Sequence, residues 1–118
     1  MDQRIKDLVK FDITKKEDKL LQANLTVDSN LPSFKGHFPG NPILPAVSII
    51  DISLYLLENI KSPISYNTIE VKRSKFMAMV EPNQEIDIEA ESDDGTNWRI
   101  LWRARSNQAK VAQVHLVV

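Results

Sequence analysis

The sequence predicts an α+β fold, and three observations carry that prediction. A segment from about Ala46 to about Lys61 has apolar side chains around most of a helical circumference. Stretches on both sides of it alternate polar and apolar residues with the period of strands. Turn signals such as Asp94-Gly95 separate those stretches, so neighbouring strands run antiparallel. Strand, buried helix and then a run of antiparallel strands is the α+β pattern.

With 118 residues, the chain is expected to form a single domain over 1–118. The hydrophobic fraction of 42% is enough for a core. A net charge of −1 supplies no basic field of the kind that gathers nucleic acid. There is no cysteine, which excludes disulfides, thiolate metal ligands and a cysteine nucleophile. Two histidines without cysteine make a metal site unexpected. Residues 1–7 lack the apolar centre of a signal peptide, and no run reaches the roughly 18 apolar residues of a membrane span. The expectation is a soluble cytoplasmic protein.

In chain order, residues 1–7 read as a loose or helical lead-in. Leu8 to Ile13 reads as a short strand, and Lys15-Lys16-Glu17-Asp18 as a turn. Leu21, Ala23, Leu25 and Val27 then alternate with polar residues as a strand does. A loop runs from Asp28 to Pro45. The helix follows, with Pro45 placed where a missing N–H costs nothing. Its apolar residues Val47, Ile49, Ile50, Ile52, Leu54, Leu56, Leu57 and Ile60 demand burial. Ser48, Asp51, Tyr55, Glu58 and Asn59 form one narrow polar stripe. That stripe either faces water or, in its first half, lines a cavity closed by a partner chain.

Ser62-Pro63 ends the helix. A strand over about Tyr66 to Val80 changes phase, which predicts a bulge near Arg73-Ser74. Glu81-Pro82-Asn83 turns the chain into a strand through Ile86, Ile88 and Ala90. The Asp94-Gly95 hairpin leads to Trp98, Ile100, Trp102 and Ala104, and Ser106-Asn107-Gln108 to a last strand over Lys110 to Val118. Trp98 and Trp102 read as sheet residues, and His115 as an ordinary strand residue.

The loop before the helix carries the chemical signal. Pro39, Pro42 and Pro45 stiffen it, and Gly36 and Gly40 bracket His37. Asp51 follows fourteen positions after His37, inside the helix. Gly36-His37-Phe38-Pro39-Gly40, then Pro42-Ile43, Pro45 and Asp51, resemble the catalytic segment of the bacterial 3-hydroxyacyl-[acyl-carrier-protein] dehydratases. That family includes FabA-like and FabZ-like enzymes and the small dehydratases of aryl-polyene pathways. Lys75-Phe76 followed by Glu81-Pro82-Asn83 resembles its second characteristic region. Two positions depart from the pattern: Ala46 stands where the family normally has Gly, and Tyr55 where it often has Gln.

The resemblance implies a hot-dog fold, an antiparallel sheet wrapped around one long central helix. It implies dehydration of a 3-hydroxyacyl thioester to the trans-2-enoyl thioester, in fatty-acid or related lipid or polyene biosynthesis. In that chemistry His37 is the base and Asp51 the acid or the holder of a water, with the Ala46 N–H binding the thioester carbonyl. Phe38, Pro45, Val47, Ser48 and Tyr55 are candidates to line the substrate channel. Val47, Leu54 and Tyr55 are expected to withdraw Asp51 partly from water. Arg73, Lys75, Arg103 and Arg105 are candidates to dock an acyl carrier protein, or else the wet face of strands. No cofactor is expected beyond the phosphopantetheine that carries the substrate. A homodimer or higher even-numbered oligomer with shared sites is implied. The alternatives are a hot-dog acyl thioesterase and a non-catalytic acyl-binding or assembly subunit.

Overall fold

The structure is a computed structural model that describes residues 2–35, 40, 42–65 and 67–118. A short helix α1 (Gln3–Lys6) leads into β1 (Val9–Glu17) and β2 (Leu20–Val27). A single 3-10 turn (Pro32–Phe34) precedes the central helix α2 (Ala46–Leu57). Then come β3 (Glu70–Phe76), β4 (Ile86–Ser92), β5 (Asn97–Ala104) and β6 (Lys110–Val117). The six strands form one sheet in the order β1-β2-β4-β5-β6-β3. Every pairing is antiparallel.

Period-two alternation decides which face holds the core. Leu21, Ala23, Leu25 and Val27 of β2 are buried, as are Ile86, Ile88 and Ala90 of β4. Trp98, Ile100, Trp102 and Ala104 of β5, and Ala112, Val114 and Leu116 of β6, continue that buried face. Ile49, Ile52, Leu54, Leu56 and Leu57 of α2 fill the same core. Each fully buried aliphatic side chain of this size stabilises by roughly 1.5–3 kcal/mol relative to exposure. The sheet thus closes around α2, and the α+β hot-dog arrangement holds.

Several boundaries differ from the sequence expectation. β1 continues through Lys15-Lys16-Glu17, and the turn is only Asp18-Lys19. β1 is an edge strand whose backbone pairs with β2 while Lys15, Lys16 and Glu17 face water, so no apolar alternation marks its end. α2 stops at Leu57 rather than near Lys61. There Asn59 Nδ2 donates to the Leu56 carbonyl, and the Lys61 N–H to the Leu57 carbonyl. The Asn59 and Ile60 N–H groups bond the Leu56 and Leu57 carbonyls three residues back, so the regular α ladder tightens into a closing turn. β3 covers only Glu70–Phe76 of the expected 66–80, and Tyr66 lies outside the described residues. Its register shift falls between Val71 and Arg73, just before the expected position.

The Asp94-Gly95 signal holds. Gly95 has φ +78°, a left-handed conformation that glycine adopts without strain. Asp94 ties the turn by accepting from the Asn97 N–H at 2.7 Å and the Thr96 N–H at 2.9 Å.

Candidate active site

Asp51 sits in the first half of α2, and its side chain is exposed. Val47, one turn earlier, is 67% exposed. Ala46 is exposed at the first helical position, and Pro45 is the half-buried N-cap with no side-chain capping bond. Ser48 and Ile49 donate their N–H groups to the Pro45 carbonyl. The N–H groups of Ala46 and Val47 find no acceptor among the described residues. The start of α2 therefore presents, among the described residues, unpaired donors at the positive end of the helix dipole.

The polar stripe divides. Ser48 is buried, at 9% exposure. Ser48 is thus less open than Asp51 on the same stripe. Tyr55 is half-buried, its ring edge-on to Phe11 and the Lys6 ammonium 5.1 Å from its centroid. Leu54 is buried on the core side. The expected withdrawal of Asp51 from water is thus not supplied by neighbours in the same chain.

Beside the helix start lies an apolar cleft of about 350 Å³. Ile43, Ala46, Ile49, Phe76, Met77 and Met79 line it. The Leu44 N–H donates to the Val80 carbonyl at 2.9 Å, which holds the end of the proline-rich loop against the segment after β3. Gly40, within that loop, has φ +81°. The sequence reading missed Met77 and Met79, although two methionines in an otherwise strand-like stretch were a usable signal. His37 and Phe38, with Gly36, Pro39 and Asn41, lie outside the described residues.

The basic candidates fall in two groups on the outer face of the sheet. Arg73 and Lys75 are exposed on edge strand β3 and border a cleft of about 510 Å³ with Arg99 and His115. Arg103 donates to the Gln108 carbonyl at 2.8 Å, and Arg105 lies 4.0 Å from Glu85. Both belong to a second cleft across the sheet. His115 pairs in register with Arg73 and Arg99, and its Nε2 is buried without a partner among the described residues. No group of three or more His, Cys, Asp or Glu among the described residues could hold a metal ion. No helix among them is long and apolar enough to cross a membrane.

An antiparallel sheet around one buried helix defines a hot-dog protein. A family model described as ApeI dehydratase matches residues 12–115, and the chain belongs to this ApeI-like family.

Among curated proteins it is similar to the 3-hydroxyacyl-[acyl-carrier-protein] dehydratase FabZ of Ligilactobacillus salivarius. The two are 31% identical over 80 residues, 62% of this chain and 55% of that one. It is also similar to the bifunctional enzyme LpxC/FabZ of Chlorobaculum tepidum, at 35% identity over 64% of this chain and 18% of the relative. The match thus spans about half the length of the first of these and less than a fifth of the second.

Among solved structures, the dehydratase heterocomplex ApeI:P of Xenorhabdus doucetiae superposes with a TM-score of 0.74 at 18% identity, covering 90% of this chain and 92% of that one. A hypothetical thioesterase from Streptococcus pneumoniae superposes with a TM-score of 0.61 at 12% identity, covering 92% and 85%. At such identities these two structures speak for the fold.

Proposed function

We propose that this chain dehydrates a 3-hydroxyacyl thioester, carried on the phosphopantetheine of an acyl carrier protein, to the trans-2-enoyl thioester. The observation that carries this reading is the position of Asp51. It stands open on α2 one turn after the N–H groups of Ala46 and Val47, unpaired among the described residues, on a helix whose start borders an apolar cleft.

Each part has a chemical role. His37, assigned by its motif alone, takes the proton from C2. The C3–O bond breaks as the electron pair left on C2 forms the new double bond. Asp51 gives its proton to the departing hydroxyl, or orients a water that does, and water leaves. Developing charge on the thioester oxygen is held by the Ala46 N–H, where the helix dipole favours an anion. The reaction is redox-neutral and calls on no metal or further cofactor. The apolar cleft suits the acyl chain, and Arg73 and Lys75 suit the acidic carrier surface from the adjoining strand.

A second copy of the chain completes the site. Val47 at 67%, Met79 at 64%, Phe76 at 38% and Met77 at 38% are large apolar side chains left in water by a single chain. Covering them would also desolvate Asp51. The setting proposed is a cytoplasmic homodimer, or a larger even-numbered assembly, serving fatty-acid or related lipid or polyene biosynthesis.

The experiment is turnover of a 3-hydroxyacyl thioester, followed by enoyl absorbance and free thiol. Enoyl product without thiol supports dehydration, whereas thiol release identifies a thioesterase. Binding without either product identifies a non-catalytic subunit. Mixed dimers of His37→Ala and Asp51→Asn protomers should regain activity, and no recovery after verified exchange rejects shared sites.

A further inference from the structure

The core contains a polar link between α2 and the sheet. Ser53 and Trp102 are both 0% exposed. The Trp102 indole Nε1–H donates to Ser53 Oγ at 3.1 Å. Ser53 Oγ–H in turn donates to the Ile49 carbonyl at 2.8 Å. Among the described residues, no other side-chain hydrogen bond joins α2 to the sheet.

The rest of that contact is apolar, formed by residues such as Ile52, Leu56, Ile88 and Ile100. Apolar packing is non-directional and allows one element to turn or slide slightly over another. A hydrogen bond weakens steeply outside a narrow range of distance and angle. A buried donor left without its acceptor is costly, so this bond selects one helix setting from several that packing would accept. Trp102 is well placed as the fixed end. It lies on β5, which is paired on one side with β4 and on the other with β6.

The helix end of the link has a second effect. A serine that bonds the carbonyl four residues earlier often bends its helix. The two ends of that bond, Ile49 and Ser53, bracket Asp51.

We propose that the Trp102–Ser53–Ile49 chain sets the rotation and local bend of α2, and thereby the position of the Asp51 carboxyl. Ser53 and Trp102 are positioning residues, acting through the helix and not on the substrate. The catalytic consequence rests on the dehydration proposed above; the geometric one does not.

The test compares wild type with Ser53→Ala, Ser53→Thr, Trp102→Phe and the Ser53→Ala/Trp102→Phe double variant, all as full chains. Two quantities are measured: kcat and KM for a 3-hydroxyacyl thioester, and residual dipolar couplings of α2 amides against those of β4, β5 and β6. Ser53→Ala and Trp102→Phe should each lower kcat by about 10–10²-fold, the scale of a small misplacement of a reacting group, with KM within about twofold. Both should reorient α2 relative to the sheet.

Ser53→Thr keeps the hydroxyl and should restore both kcat and couplings. The double variant should be no worse than the poorer single one, because both changes remove the same link. Trp102→Phe leaves no unpaired donor, so it serves if Ser53→Ala does not fold.

Wild-type α2 couplings in folded Trp102→Phe and in the double variant overturn the proposal. So does a kcat loss matched by Ser53→Thr, or one that adds fully in the double variant. A wild-type chain that turns over no 3-hydroxyacyl thioester rejects the dehydration instead, and the couplings still decide whether the link sets the helix.

Discussion

Phe11 and Tyr55 meet edge to face, with ring centroids 5.5 Å apart and planes at 81°, and so fasten edge strand β1 to α2 one turn beyond Asp51. Lys6 reinforces the contact. Its ammonium lies 5.1 Å from the Tyr55 centroid and 3.8 Å from Glu58. A double-mutant cycle of Phe11→Leu and Tyr55→Leu, measured by urea unfolding, should give a coupling of about 0.5–1.5 kcal/mol. Tyr55→Phe should be nearly neutral, because the hydroxyl has no hydrogen bond among the described residues. A coupling of zero would show that the pair is mere proximity.

The acid–base pair proposed for His37 and Asp51 makes a separate prediction. His37→Ala and Asp51→Asn should each reduce dehydration on the order of 10²–10⁴-fold while leaving the chain folded. Asp51→Glu should keep the chemistry but slow it, because the longer side chain crowds a hydroxyl that must sit within about 2.6–3.2 Å of its partner. Steady-state turnover with circular dichroism as the folding control checks all three. Normal rates in Asp51→Asn would leave that carboxyl as an ordinary wet residue.

Assembly is tested where the exposed apolar surface is clearest. Met79 is 64% exposed and lines the cleft beside the start of α2. Met79→Glu should leave the isolated fold intact, because the side chain is outside the core. In a covered interface the new carboxylate would be desolvated without a partner. Sedimentation should therefore shift toward monomer, with activity falling in step. An unchanged assembly with full turnover would place the subunit contact elsewhere.

The Asp94 turn predicts a pH effect on stability. Hydrogen bonds from the Asn97 and Thr96 N–H groups, then from the Asn97 side chain, hold the Asp94 carboxyl well below the usual carboxylate range. A depressed folded-state value means the ionised form is favoured by folding. Its contribution is complete above the unfolded value of about 3.9 and is lost as pH falls below it. Asp94→Asn should therefore lower the melting temperature at pH 6, and the gap to wild type should narrow between about pH 4 and pH 2. A gap independent of pH would assign the effect to turn geometry alone.

Alternation made much of the sheet legible, because β2, β4 and β5 each bury one face and wet the other. It failed where burial gives no contrast. All seven residues of β3 are exposed, and the last four of β1 are too, so neither boundary was written in hydropathy. The start of α2 after Pro45, and with it the place of Asp51 on the helix, was legible from the proline-to-helix transition. The burial of Ser48 was not, since a helical wheel cannot tell which edge of a polar stripe is covered. Ser53 went unread for the opposite reason. A lone serine between Ile52 and Leu54 looks like a gap in an apolar face until Trp102 arrives from a distant strand as its donor.

The exposed strand β3 has one more consequence. It pairs with β6 on one side only, and its other backbone edge is unmet among the described residues. Such an edge is a ready template for indiscriminate strand addition, including aggregation. Glu70, Lys72, Arg73 and Lys75 place charge at four of its seven positions. Any strand that adds there must offer compensating charge in register, since like charges directly opposite destabilise a pair. Charge at those positions therefore blunts the border strand against pairing with the apolar segments of unfolded chains.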